Sequence, residues 1–254
     1  MLLAVAVENT RTLVGVLDQG EVRRHWWVGT DPRRTADEWA VLLGGLLGAT
    51  VIDGVAVCSA VPSVLHELRE VVARYYPDVP GLVVEPGVKT GLPVLVDNPR
   101  EVGTDRIANA LAAVKLYGGP CVVVDFGTAT TFEVVNESGA YIGGAIAPGI
   151  ETSLDALGRT AAQLRRVELI RPRAVIAKNT VEALQSGAVF GFAGQVDGIV
   201  TRIVAELGID RSAVTVVATG ALAPAVLAEC REVDHHEPFL TLLGLSHAFT
   251  RNHP

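Results

Sequence analysis

A chain of 254 residues has room for two domains of ordinary size, and its 49% hydrophobic and 19% charged residues are enough to build a core, which excludes a disordered protein. Its net charge of −7, from 21 basic and 28 acidic residues with the bases scattered, excludes a surface built to track nucleic-acid phosphates. Mean hydropathy is +0.37, yet no unbroken apolar run approaches the roughly 20 residues that cross a bilayer.

The opening residues 2–7 follow Met1 without a basic lead-in, so they read as a first strand and not as a signal peptide. A polar turn, Glu8-Asn9-Thr10, joins them to residues 12–17, which predicts a hairpin, and residues 23–28 add a third strand. Helical spacing follows over 35–47, where Trp39, Leu42, Leu43 and Leu46 share one side. A strand at 51–58, a helix at 62–75 opened by Pro62-Ser63, and a strand at 81–84 set up the alternation expected of a sheet covered by helices. The Ala- and Leu-rich segment 105–116 predicts another helix, broken by Tyr117-Gly118-Gly119-Pro120. That break divides the chain into halves of 1–117 and 118–254.

The second half repeats the opening of the first. Strands at 121–124, 130–135 and 141–146 are separated by the turns Asp125-Phe126-Gly127-Thr128 and Asn136-Glu137-Ser138-Gly139, which suggests an internal duplication. Helices at 152–164 and 180–206, a strand at 214–219 ending in Gly220, and a closing helix at 240–250 complete the α/β pattern. With no long linker between them, the halves are predicted to pack around a cleft.

Three widely spaced cysteines, Cys58, Cys121 and Cys230, have neither zinc nor redox spacing and read as buried thiols of a cytosolic protein. The His235-His236 pair has no companion at metal-ligand spacing. Asp125-Phe126-Gly127-Thr128-Ala129-Thr130-Thr131 is more informative: an acid at a strand end offers a metal ligand, Gly127 admits close backbone approach, and the hydroxyls suit phosphate oxygens. A hairpin whose threonines merely favour β geometry is the plainer alternative. Glu8-Asn9-Thr10 holds the equivalent position in the first half.

At Gly103-Thr104-Asp105-Arg106 an acid and an arginine open a helix, where a carboxylate can accept a hydroxyl proton and Arg106 can clamp an anionic substrate. Simple helix capping by Asp105 with an exposed Arg106 explains the same residues. Residues 143–149, Gly-Gly-Ala-Ile-Ala-Pro-Gly, look too rich in glycine for ordinary strand packing and suit a pocket wall or a tight crossover. Gly220, after a strand and before a helical segment, lets a nucleoside lie against the backbone, and Thr180 reads as the N-cap of the long helix.

In order, Asp97-Asn98-Pro99, Glu101-Val102-Gly103-Thr104-Asp105-Arg106, the Asp125 segment, the glycine-rich run, Lys178-Asn179-Thr180, Gln185-Ser186-Gly187, Val196-Asp197-Gly198 and Ala218-Thr219-Gly220 resemble the type III pantothenate kinases of the acetate kinase/sugar kinase/actin superfamily. The resemblance implies two ribonuclease-H-like domains and transfer of the ATP γ-phosphoryl to the primary hydroxyl of pantothenate, the first step towards coenzyme A. It also implies a cytoplasmic homodimer that uses Mg²⁺ and a monovalent cation, potassium or ammonium, with no nucleic-acid or membrane partner.

Carried over residue by residue, Asp105 is the catalytic base, Gly103, Thr104, Arg106 and Thr180 contact substrate, and Asp125 holds the monovalent cation. Asn9, Thr10, Thr12, Gly127, Thr128 and Gly220 face the nucleotide. The family's first turn reads Asp-Val-Gly-Asn-Thr, whereas this chain has Ala6-Val7-Glu8-Asn9-Thr10. The missing aspartate would help to hold Mg²⁺. Glu8, two residues along an extended strand and so on the same face as Ala6, offers a replacement carboxylate. Val96 stands where many relatives carry tyrosine, and Ala221 replaces a second glycine. Two other readings remain: a relative that binds these ligands without turnover, and a kinase for another small hydroxy acid.

Overall fold

Strand β1 (Leu2–Val7) is buried along its whole length, as a strand covered on both faces must be. In the computed structural model, which describes residues 1–85, 87–160 and 167–253, it is the middle of a five-stranded sheet. The order is β3-β2-β1-β4-β5, with β2 (Arg11–Asp18), β3 (Glu21–Gly29), β4 (Gly54–Ser59) and β5 (Gly81–Val83). The first three strands form an antiparallel meander, and β4 and β5 then run parallel to β1.

Alternation along β1 sends Leu3, Val5 and Val7 into one core with Trp39 and Leu43 of α1 (Ala36–Leu47) and Val64 and Leu68 of α2 (Pro62–Tyr75). Helix α1 starts where it does because Thr35 and Glu38 form a reciprocal capping box, with the Thr35 N–H donating to Glu38 Oε2 at 2.9 Å. Helix α3 (Thr104–Tyr117) comes after the loop that leaves β5.

The second sheet repeats the first in order and polarity. Its strands β6 (Cys121–Phe126), β7 (Ala129–Val135), β8 (Tyr141–Pro148), β9 (Thr215–Thr219) and β10 (His235–His236) lie in the order β10-β9-β6-β7-β8. Again three strands form an antiparallel meander and two more run in parallel. The duplication suggested by the turns is therefore a duplication of topology. The glycine-rich run lies mostly in β8, where a strand was expected at 141–146, and Gly143, Gly144 and Ala145 also line a pocket; Gly144 lies so close to β7 that a Cβ there would come 1.6 Å from the Phe132 carbonyl oxygen. The histidine pair is the edge strand β10, with His235 stacked on Tyr117 at 4.5 Å.

Helices α4 (Ile150–Thr160) and α5 (Thr180–Leu207) belong to this second unit. The end expected for α4 at Leu164 lies outside the described residues. Helix α5 is long and apolar enough to cross a membrane by length and composition, which the lack of an unbroken apolar run did not anticipate. Its Ala188, Val196, Val200 and Val204 pack into the core formed with Val122, Val124 and Val216.

The chain divides into Met1–Leu116 with Phe239–Pro254, and Tyr117–Pro238. The closing helix α6 (Leu240–Asn252) belongs to the first unit. Missing side chains make this docking possible. A Cβ on Gly244 would meet the Ala108 carbonyl oxygen at 2.0 Å, and Gly15 and Gly54 leave room for Leu242 and Phe249. Thr241 also donates to the buried Asn109 Oδ1 at 2.7 Å.

Candidate active site

In the first unit Asp105 and Glu8 both lie near Cys58, towards the end of β4 and β1. Asp105 sits in the first turn of α3, where the backbone N–H groups of Arg106 and of Asp105 itself donate to its carboxylate. Burial nevertheless pushes its pKa above the ordinary 3.8, against the lowering pull of those N–H groups and of the Arg106 charge. Gly103 is part of this arrangement because a Cβ there would lie 2.5 Å from Asp105 Oδ1. Cys58, paired with Ala6, reports the neighbourhood: its thiol is pushed up by burial first, then by the charges of Asp105 and Glu8. Glu8 is therefore close enough to the Ala6–Cys58 pair for its charge to be felt there.

Beside Asp105 opens a pocket of about 340 Å³ whose apolar wall is Val84, Val88, Leu92, Val94, Val102 and Ile107. Thr104 lines it with a buried hydroxyl that has no hydrogen-bond partner among the described residues. Arg100 and Glu85 supply its charged rim. Val94, not Val96, is among the lining residues.

The turn at residues 8–10 is closed by the Glu8 N–H donating to the Arg11 carbonyl at 2.9 Å. Asn9 and Thr10 are exposed, as nucleotide contacts must be, but Thr12 is not. It is fully buried, with its hydroxyl 2.9 Å from that of Thr30, and Thr30 in turn donates to the Glu8 carbonyl at 2.8 Å. Thr12 is thus a brace for the turn and offers no surface to a ligand. Sequence reading missed Thr30, which lies 22 residues from Glu8 and carries no motif.

In the second unit Asp125, Gly127, Thr128 and Gly220 converge at the equivalent sheet end. Asp125 pairs with Thr131 on one side and Thr219 on the other. Gly220, at φ +95°, lies so near β6 that a Cβ would come 2.5 Å from Asp125 Oδ1, 2.6 Å from the Phe126 nitrogen and 2.7 Å from its oxygen. Only glycine fits both the left-handed backbone and the contact. The Thr128 carbonyl accepts from the Gly149 N–H at 3.1 Å and the Thr152 hydroxyl at 2.7 Å, which ties the 127–128 turn to the start of α4. Thr180 is exposed at the first residue of α5. The cap is Asn179, whose Oδ1 accepts from the Glu182 N–H at 2.9 Å.

The arrangement supplies, in one unit, a basic carboxylate next to an apolar pocket and, in the other, a strand-end acid among glycines and hydroxyls. The family model described as type III pantothenate kinase matches residues 2–202. A type III pantothenate kinase of Streptomyces avermitilis is 61% identical over 261 residues, covering 99% of this chain and 98% of its own. One from a Nocardioides species is 63% identical over 254 residues, with 99% of each chain covered. Among solved structures, a ROK hexokinase from Thermus thermophilus matches at a TM-score of 0.53 and 15% identity, covering 99% of both chains. Component A of (R)-2-hydroxyglutaryl-CoA dehydratase from Acidaminococcus fermentans matches at 0.57 and 13%, covering 100% and 99%. At such identities these structures share this chain's fold and nothing narrower.

Proposed function

This chain belongs to the type III pantothenate kinase family, and from that premise we propose that Asp105 is the base of its reaction, with its acceptor in the pocket beside Thr104. The chain phosphorylates pantothenate with ATP, the first step of coenzyme A biosynthesis. The observation that carries the residue assignment is the position of Asp105: a carboxylate made more basic by burial, fixed by two N–H donors, and given room by Gly103.

The apolar wall suits the branched hydrocarbon part of pantothenate, and the Thr104 hydroxyl is available to its polar groups. Arg106 supplies positive charge for the substrate carboxylate. The primary hydroxyl of pantothenate gives its proton to Asp105 as its oxygen bonds to the γ-phosphorus and the bond to the β-phosphate oxygen breaks, releasing ADP. Because the phosphoryl group passes through a loose transition state, catalysis rests mainly on positioning and charge neutralisation, and a carboxylate suffices as base.

Asn9, Thr10, Gly127 and Thr128 are the turn residues for the phosphates, while Gly220 keeps the backbone beside Asp125 free of side chain for the nucleoside. No group of three or more His, Cys, Asp or Glu that could hold a metal occurs among the described residues. Mg²⁺ carried by a nucleotide needs only one or two protein carboxylates, its other ligands being phosphates and waters. Glu8 fits that part because its charge reaches the Ala6–Cys58 pair. Asp125, with Oδ1 buried beside Gly220, fits a monovalent cation. Bound cations would neutralise phosphate charge.

A homodimer is supported by the apolar residues that the second unit exposes near Thr180: Val175, Ile176 and Val181 are 66%, 86% and 51% exposed. Cytoplasmic location follows from the substrates.

The reading is tested by pantothenate-dependent release of ADP against a panel of small hydroxy acids, with Glu8→Gln assayed across Mg²⁺ concentrations. Pantothenate should be preferred, and the variant should need more Mg²⁺. Preference for another acid would overturn the acceptor assignment, and an unchanged Mg²⁺ requirement would remove Glu8 from the metal site.

A further inference from the structure

The first unit carries a second pocket, of about 300 Å³, lined by Thr90, Gly91, Lys115, His247, Thr250 and Arg251. Three of its six lining residues are bases and none is an acid, in a chain whose net charge is −7. Lys115 comes from the last turn of α3, and His247 and Arg251 lie four apart on the last turns of α6, so both side chains point to one face.

Cations at helix C-termini are favoured by the backbone carbonyls there. That preference accounts for the individual bases, but not for an open pocket among them. Nor does it account for the crowding of like charge: burial and then the Lys115 charge hold the His247 imidazole below its ordinary 6.5. The pocket wall is also built. Gly91, at φ +81°, packs on the Arg251 guanidinium, 2.8 Å from where its Cβ would be, and the Asn252 side chain donates to the Lys89 carbonyl at 3.1 Å. Thr90 Oγ1 accepts from the Leu92 N–H at 3.3 Å, which leaves its own proton to donate, whereas the Thr250 hydroxyl already donates to Ser246.

We propose that this pocket binds a phosphate group, held by Lys115, Arg251 and His247 with the Thr90 hydroxyl. The pocket adjoins the one beside Asp105, which Thr90 also lines, but Lys115, His247 and Arg251 have no part in the phosphoryl-transfer site. A phosphate dianion matches two permanent cations and offsets the repulsion between Lys115 and a protonated His247. The volume accommodates the phosphate end of a small ester. Inorganic phosphate, a nucleoside monophosphate and the product 4′-phosphopantothenate all present this chemistry.

The test tracks the His247 ring resonances by NMR, assigned by comparison with His247→Gln, while the full chain is titrated with inorganic phosphate, AMP or 4′-phosphopantothenate. Saturable displacement of His247, with an upward shift of its pKa on binding, is expected. The tightest of the three probes identifies the source of the phosphate. In Lys115→Gln/Arg251→Gln the affinity should fall at least tenfold, since a charge-assisted contact contributes more than a factor of ten. Turnover of pantothenate under saturating substrates and the thermal midpoint should stay as in the unmodified protein. No movement of His247 with any probe, or equal affinity in the double variant, would overturn the proposal.

Discussion

Replacing Gly103 with alanine adds one methyl group at the point where the structure leaves least room for it. The new Cβ would lie 2.5 Å from Asp105 Oδ1, and ordinary contact begins near 3.4 Å, so the carboxylate must retreat by about 0.9 Å. The obstructing atom ends a side chain and belongs to no backbone, so the fold has no reason to yield. Movement of a reacting group by about 1 Å costs on the order of 10² in rate. Steady-state ADP release with pantothenate varied should therefore show kcat reduced about 100-fold, with KM for ATP unchanged. Thermal unfolding measured alongside should move by no more than a few degrees. A kcat within threefold of the unmodified protein would refute the claim that Gly103 sets the position of the base.

Gly220→Ala should behave in the opposite way. Its Cβ meets the Phe126 backbone at φ +95°, neither of which can relax easily, so stability should fall by about 2 kcal/mol and the thermal midpoint with it. Asp105→Asn should abolish turnover yet stabilise the fold at neutral pH. Because burial raises this carboxyl, its ionised form costs stability once the pH exceeds 3.8, and that cost disappears as the acid is protonated at lower pH. The gain in thermal midpoint should accordingly shrink towards pH 3.8, and in the unmodified enzyme kcat should fall on the acid side at a pH above that value. Gly244→Val should loosen α6 from α3, since even the Cβ comes 2.0 Å from the Ala108 carbonyl oxygen. Overpacking of this kind costs about 1–3 kcal/mol, readable by chemical denaturation.

What could be read from the sequence was what is local in it. The two meanders announce themselves through turn residues such as Asn136 and Gly139, and the Asp125 and Asp105 segments through acids set beside glycine at element ends. The return of α6 to the first unit was illegible because it depends on Gly15, Gly54 and Gly244, each ordinary until a distant side chain or carbonyl is placed against it. Strand β8 was legible, but the need for a glycine at 144 was not, since it lies in Phe132 on the neighbouring strand. Thr12 was drawn into the nucleotide site by its place beside the turn, whereas its buried pairing with Thr30 depends on the end of β3. The apolar pocket beside Asp105 draws on residues from 84 to 107, a spread that no short motif records.

The most direct measurement is mass-spectrometric detection of 4′-phosphopantothenate formed by the purified protein from pantothenate and Mg-ATP with potassium, run beside Asp105→Asn. Product from the unmodified chain, reduced at least 100-fold in the variant, is the expected result for loss of a general base. Absence of product, or a variant as active as its parent, would contradict the account.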